Sequence, residues 1–124
     1  GARGSKGALS VSGTVVAGRP DATWAGALFS PGAQPMAPVD LSSSKQLVFW
    51  ARGDGKPYTV LLFLKSRGFT PLARPFAAGA EWKQVRFRLA DFDGTDAHDL
   101  MGVFFGTDRP GAFSLQLDDV AFER

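Results

Sequence analysis

The 124-residue chain contains no cysteine, and none of its apolar runs reaches the roughly 18 residues that a membrane-spanning helix needs. The missing cysteine excludes a disulfide framework and a thiolate metal site. It leaves the compartment open, a bacterial periplasmic or secreted location included. The 14 Lys and Arg and the 12 Asp and Glu form no long run of one sign, so the positive stripe that nucleic-acid binding requires is missing. We therefore expect neither a membrane partner nor a nucleic-acid partner.

Histidine is also scarce, because His98 is the one histidine of the chain. A catalytic triad or a histidine metal site would have to use it, and no serine motif accompanies it. We interpret His98 as a loop residue. No spacing singles out a pair of carboxylates for acid–base work. We therefore expect no enzymatic activity from this chain.

What the chain does contain is a large supply of core residues. Hydrophobic residues make up 44% of it and include 11 Phe and 3 Trp, which indicates a folded domain. Residues 1–6 are small or charged and lack an apolar signal segment, so we interpret them as a linker remnant. Residues 7–124 are predicted to form one domain.

Apolar residues recur with a period of two, which is typical of half-buried strands, and Gly, Pro or Asp separate the runs. This pattern predicts an all-β fold, an antiparallel jelly-roll β-sandwich of about eight strands. No segment has helical periodicity over three turns. The runs 47–52 and 58–65 are apolar on both faces, which predicts central positions in their sheets. The predicted strands are 8–16, 24–30, 46–53, 58–65, 70–77, 82–90, 100–106 and 112–123.

The last predicted strand changes its pattern halfway. Its apolar residues alternate regularly up to Asp118-Asp119, where the alternation breaks. Val120 and Phe122 then continue on the opposite parity. One inserted residue, a β-bulge, would return both side chains to the core.

A tight turn is predicted at Arg52-Gly53-Asp54-Gly55, between the two most apolar runs. Gly53 and Gly55 permit the backbone angles that a turn needs, and Asp54 can accept hydrogen bonds from nearby amides. Residues 52–54 also form the tripeptide that integrins bind, but we favour the structural interpretation. Arg52 is expected to pair with a carboxylate across the sheet.

Four acidic residues crowd the segment 91–99: Asp91, Asp93, Asp96 and Asp99. A helix–loop–helix calcium site needs glycine at its sixth position, where this segment has Asp96. We therefore expect a solvated turn.

Three motifs in register resemble the complex I intermediate-associated protein family. They are Arg52-Gly-Asp-Gly-x-x-Tyr58, then Trp82-x-x-Val85 followed by Asp91-Phe92, and finally Gly111-x-Phe-x-Leu-x-Leu-Asp-x-Val120. The resemblance spans residues 24–122. It implies a galactose-binding-like jelly roll, related in fold to several carbohydrate-binding modules, and no shared catalytic residues. The segment from Trp24 to Ser42 is similar to copies appended to the C-terminus of bacterial amidohydrolases, which implies an accessory role beside a metal-dependent hydrolase.

The same relationship suggests one cofactor. In related sandwich modules an Asp near the last strand binds a structural calcium ion, and Asp118 is the candidate here. Calcium takes about six to eight oxygen ligands. No acidic residue precedes Asp21, so an N-terminal strand would supply carbonyl groups alone. The alternative is that Asp118 caps backbone amides at the bulge, and no other cofactor is predicted.

Aromatic faces suit the apolar faces of sugar rings, and polar side chains suit the hydroxyl groups. The stacking candidates are Trp24, Trp50, Trp82 and Tyr58, with core packing as the default interpretation of each tryptophan. The predicted ligand-binding residues, all expected on the face away from the core, are Trp50, Arg86, Arg88 and Gln116.

Two functions follow from these observations. The first is a non-catalytic accessory domain that packs on a partner, foremost a hydrolase domain in the same polypeptide, and it predicts an uncovered apolar or Arg-rich patch. The second is a carbohydrate-binding module, which predicts a concave face with an exposed aromatic flanked by Arg, Gln or Asp. The two differ at Trp50, which sugar binding needs exposed and docking needs covered.

Overall fold

The computed structural model describes residues 9–15, 24–32, 34–68 and 70–124, which form eight strands in two antiparallel sheets. Sheet A has the strand order β1-β8-β3-β6 and sheet B the order β2-β7-β4-β5. This is the jelly-roll sandwich that the sequence predicts. The strands are β1 (Leu9–Val15), β2 (Ala25–Phe29), β3 (Gln46–Gly53), β4 (Pro57–Leu64), β5 (Leu72–Ala77), β6 (Lys83–Arg88), β7 (Leu100–Thr107) and β8 (Gly111–Glu123).

The predicted strands are all present, and their ends shift by two residues at most. The predicted linker 1–6 lies outside the described residues, as do Ala8 and Val16 at the ends of the first predicted strand. The predicted strand 82–90 ends at Arg88 and continues as a single 3-10 turn, Leu89–Asp91. A second such turn, Lys65–Arg67, follows β4. No helix within the described ranges is long and apolar enough to cross a bilayer.

Both strands that are apolar on two faces are central, as predicted. β3 lies between β8 and β6, and β4 lies between β7 and β5. Each has buried residues on its core side and a further buried residue on its outer side, Val48 in β3 and Leu61 in β4.

Aromatic rings join the two sheets through the core. Phe49 of sheet A is fully buried, and its ring meets the rings of Phe105 and Phe76 of sheet B edge to face. The ring centroids are 4.8 Å and 5.2 Å apart, which is the favoured separation for such pairs.

The predicted β-bulge in β8 is confirmed. Val48 pairs with Ala121 and Trp50 with Asp118, so two steps along β3 match three along β8. Asp119 takes up the inserted residue with a left-handed φ of 49°. As a result, Val120 and Phe122 pack against the core.

Asp54 ties the turn between β3 and β4 to β8. Its Oδ1 accepts hydrogen bonds from the Tyr58 hydroxyl at 2.7 Å and the Lys56 amide at 3.1 Å, and its Oδ2 accepts one from the Ser114 amide at 3.1 Å. Partial burial raises the pKa of Asp54, but these hydrogen bonds outweigh it and hold the pKa below its ordinary value. The structural interpretation of residues 52–54 is therefore confirmed.

The two glycines of this turn serve different purposes. Gly55 has a φ of 84°, as predicted for a turn. Gly53, however, is required by close approach and not by its backbone angles, because a Cβ there would lie 2.7 Å from the Ser114 carbonyl oxygen.

Candidate functional site

The outer face of sheet A is polar and contains all four predicted ligand-binding residues, Trp50, Arg86, Arg88 and Gln116. The outer face of sheet A means the outward-pointing residues of three strands: those within 114–123 of β8, 46–52 of β3 and 84–88 of β6. Cross-strand pairing arranges them in rows. The rows are Gln116 and Arg52; Asp118, Trp50 and Gln84; Ala121, Val48 and Arg86; and Glu123, Gln46 and Arg88.

At one end of this face, Arg52 is held between two side chains. Its Nε donates a hydrogen bond to Gln116 Oε1, and its guanidinium carbon lies 4.8 Å from the centre of the Trp82 ring. The prediction that Arg52 pairs with a carboxylate is therefore wrong, since a glutamine accepts its hydrogen bond. The Gln116 Nε2 in turn donates to Ser10 Oγ at 3.0 Å. This chain of contacts fixes Arg52 and Gln116 in place.

Two hollows open beside Arg52 and Trp50 on the outer face of sheet A. One, of about 430 Å³, is lined by Arg52, Gly53, Asp54, Ala80, Ser114 and Gln116. The other, of about 320 Å³, is lined by Val48, Trp50, Gln84, Asp119, Val120, Ala121 and Glu123. Trp50 is half-buried and stands in the row next to Arg52 and Gln116. Guanidinium, amide and indole groups thus adjoin the two depressions.

The two predicted arginines of β6 are engaged elsewhere on the face. Arg86 donates to Glu123 Oε1 at 3.1 Å and to Gln46 Oε1. Arg88 donates to Asp91 Oδ1 at 3.1 Å. Arg88 lies four residues along the strand from the Trp50 row, a distance of about 13 Å. The structure therefore places Trp50 near Gln116 and Arg88 far from both.

Sequence reasoning did not place Arg52 and Gln84 among the ligand-binding residues, and it named Trp82 only as a stacking candidate, whereas its ring lies against the guanidinium of Arg52. Arg52 shares its parity with Trp50, and that signal was available, but the turn motif that begins at Arg52 obscured it. Gln84 pairs with Trp50 across strands whose register the sequence does not give.

The two remaining stacking candidates, Tyr58 and Trp24, lie in different parts of the structure. Tyr58 is wrong as a stacking residue, because its ring is buried in the core and its hydroxyl bonds Asp54. Trp24 is 40% exposed and meets Phe104 edge to face on sheet B, with ring centroids 6.1 Å apart.

Asp118 adopts the capping geometry that was the alternative to calcium binding. Its Oδ1 accepts a hydrogen bond from the Asp119 amide at 2.8 Å, within the bulge. Across the described ranges, no group of three or more acidic or histidine side chains could hold a metal ion. The calcium ion stays a prediction.

The acidic segment 91–99 is a turn and loop in which Asp93 and Asp96 are exposed, as predicted for a solvated turn, whereas the side chain of Asp99 is only 13% exposed. Asp93 pairs with Arg67 at 2.9 Å, and Asp99 Oδ2 accepts a hydrogen bond from the Ser66 amide at 2.6 Å. His98 is an exposed loop residue whose Nδ1 lies 2.6 Å from Asp96 Oδ1, and this contact raises the pKa of His98.

The outer face of sheet B differs sharply, because its four strands direct no charged side chain outward. Antiparallel sheets in contact with water usually alternate apolar and polar residues. Here Thr59 has the one hydrogen-bonding side chain among the outward residues of β2, β7, β4 and β5. These residues define the face: Gly26, Leu28, Gly102, Phe104, Gly106, Pro57, Thr59, Leu61, Phe63, Ala73, Pro75 and Ala77.

No protein-family model and no curated protein matches the chain. Solved structures do. The family 30 carbohydrate-binding module of the cellulosomal cellulase Cel9D-Cel44B of Clostridium thermocellum is 16% identical with a TM-score of 0.69, over 91% of this chain and 72% of that one. The family 11 module of Clostridium thermocellum, in complex with a β-1,3-1,4-mixed-linked tetrasaccharide, is 13% identical with a TM-score of 0.62, over 97% and 88%.

An exo-β-agarase is also similar, at 9% identity and a TM-score of 0.65, although the chain covers only 22% of that protein. Identities this low show the fold alone. The resemblance to the complex I intermediate-associated family therefore has no support beyond a shared type of fold. The chain is a jelly-roll β-sandwich with the architecture of carbohydrate-binding modules of families 30 and 11.

Proposed function

We propose that this chain is a non-catalytic carbohydrate-binding module and that it holds a glycan on the outer face of sheet A. The observation that carries the proposal is the adjacency of Trp50 to the fixed pair Arg52 and Gln116, beside two hollows. The similar folds support it, since two of them are carbohydrate-binding modules and one of these is bound to a tetrasaccharide.

Sugar chemistry favours this face over that of sheet B. A pyranose has an apolar face that stacks on an aromatic ring and hydroxyl groups that need hydrogen-bond partners. Leaving a buried polar group without a partner costs about 1–3 kcal/mol. The outer face of sheet A supplies the side chains of Arg52, Gln84 and Gln116, whereas that of sheet B supplies Thr59 alone.

The fixed position of Arg52 strengthens the case. Ordering a long side chain on binding costs about 0.5–1.5 kcal/mol. Because Trp82 and Gln116 already hold the guanidinium, a ligand would find it ordered. Arg86 is similarly held by Glu123 and Gln46, although farther from the hollow beside Arg52.

Replacing Trp50 with alanine is expected to weaken glycan binding about ten-fold or more, because a central aromatic contact is lost. The measurement is an NMR titration with mono- and oligosaccharides, mixed-linked glucans among them, with and without calcium. Trp24→Ala, on sheet B, is the matched control and should bind like the unchanged protein.

Thermal melts must show that both tryptophan variants fold, since unfolding of Trp50→Ala would return that residue to a packing role. Loss of binding in Trp24→Ala alone would move the site to sheet B. No shifts across the whole panel would contradict carbohydrate binding.

A second candidate is an accessory domain that packs on a neighbouring catalytic domain, with a metal-dependent amidohydrolase as the partner that the sequence resemblance implies. The uncharged outer face of sheet B favours it, because a docking domain must offer an apolar surface. Hydroxyl-radical footprinting tests it: Leu28 and Trp24 should be protected when the chain is joined to such a domain. Equal labelling with and without the domain would contradict it.

A further inference from the structure

The outer face of sheet B is uncovered along its β2 edge. Leu28 is 52% exposed and Trp24, just before β2, is 40% exposed. Ala73, Pro75 and Ala77 on the opposite edge are exposed as well, so apolar side chains extend across the face, and an apolar patch of this extent marks a contact surface. We propose that this face joins two copies of the chain in a two-fold symmetric dimer.

The middle of the face is already closed by internal packing. Alanine Cβ atoms at Gly26 and Gly106 would lie 2.9 Å and 2.7 Å from the Phe104 ring, so that ring lies directly over the glycine backbone. At Gly102 a Cβ would meet Met36 Sδ at 2.8 Å, so Met36 covers this position. Phe104 and Met36 therefore fill the glycine positions, and Leu28 and Trp24 project beside them.

The two edges of the face complement each other in size. The β2 edge has Leu28 and Trp24, whereas the β5 edge has Ala73, Pro75 and Ala77. A two-fold axis parallel to the strands, between two facing sheets, places β2 of one copy over β5 of the other. Leu28 and Ala73 lie in one row, which runs through Phe104 and Leu61, so Leu28 of each copy would face Ala73 of the other.

Charge does not oppose this pairing. Around a two-fold axis a patch meets its own copy, so charged groups near the axis would meet their like. The outward residues of sheet B carry no charge, in contrast to Arg52, Arg86 and Arg88 on the outer face of sheet A.

The size of the face limits the strength of the dimer. Four strands about 4.8 Å apart and about six residues long cover roughly 400 Å². A stable interface buries about 800 Å² on each partner. The contact is therefore a weak, concentration-dependent dimer. It leaves the outer face of sheet A free in both copies and does not rest on carbohydrate binding.

Sedimentation equilibrium from about 10 µM to about 1 mM tests the proposal. The unchanged chain should shift from monomer towards dimer, and Leu28→Asp should stay monomeric because it places two carboxylates in an apolar contact. Thr14→Asp, an exposed edge position of sheet A, is the matched control and should dimerise normally. Melting curves confirm that each variant folds.

Cross-linking tests the geometry, because the chain has no cysteine of its own. A short bis-maleimide should join Leu28→Cys to Ala73→Cys when the two variants are mixed, and should join neither variant to itself. A monomer at all concentrations overturns the proposal and leaves the face to a partner domain. Undiminished dimerisation of Leu28→Asp, or cross-linking within either variant alone, overturns it as well.

Discussion

Replacing Gly106 with alanine is expected to lower the free energy of unfolding by about 3 kcal/mol. The new Cβ would lie 2.2 Å from the Ala25 carbonyl oxygen and 2.7 Å from a ring atom of Phe104. The first of these neighbours is backbone, so no side-chain rotation relieves it. β2 must move away from β7, and the hydrogen bonds between them weaken.

Urea denaturation measures this loss, with Gly79→Ala as the control. A Cβ at Gly79 meets nothing within 4 Å, and its backbone needs no positive φ. That variant should lie within about 0.5 kcal/mol of the unchanged protein. A Gly106→Ala midpoint as high as that of Gly79→Ala would contradict the close pairing of β2 with β7.

Replacing Asp54 with alanine is expected to lower the free energy of unfolding by about 2–3 kcal/mol, because three donors lose a charged acceptor. They are the amides of Lys56 and Ser114 and the hydroxyl of Tyr58. The Tyr58 ring is buried, but its hydroxyl also lies 2.8 Å from the Ser114 carbonyl oxygen and keeps that contact. Asp54→Asn retains one acceptor oxygen and should lose less, and Glu81→Ala, at an exposed carboxylate, should lose little.

Acid should remove the same contribution. The pKa of Asp54 in the folded chain lies below its ordinary value of 3.8. Its stabilisation is therefore present above that value and is lost as pH falls through the lower, folded pKa. The difference in unfolding free energy between the unchanged protein and Asp54→Ala should shrink on acidification. A difference that stays constant down to about pH 2 would contradict this account.

The sequence predicts features that depend on neighbouring residues. The β-bulge is visible because the alternation changes phase at Asp118-Asp119, and the phase of a strand decides which side chains reach the core. The turn at Asp54-Gly55 is visible because few residues tolerate its backbone angles. Both predictions are confirmed.

The candidate site depends on pairs that are distant in the chain. Arg52 and Gln116 are 64 residues apart, and their contact follows from the register of β3 against β8. Trp82 immediately precedes β6, and it contacts Arg52 only because β6 pairs with β3. Parity places a residue on a face, but it does not say which residue of another strand stands beside it.

The apolar outer side of β4 is consistent with two situations that the sequence does not distinguish. Either β4 is a central strand, or the whole outer face of its sheet is apolar. We predicted a central strand because 58–65 is apolar on both faces, and β4 is central. A central position gives a strand hydrogen-bond partners along both of its edges. It does not, however, cover either face of the strand. The outward Leu61 is buried and the outward Phe63 is half-buried, and both lie beside apolar residues of β7 on sheet B.

The place of β8 in sheet A bears on how the chain folds as it is synthesised. The strands of sheet B are complete at Thr107, whereas β1 finds its sheet A partner only in β8. Val15 pairs with Gly111, so β1 waits roughly 5–20 seconds on the ribosome for its partner. Sheet B can assemble during that interval while its inner face stays open, and a nascent chain stalled before Gly111 should be a substrate for chaperones.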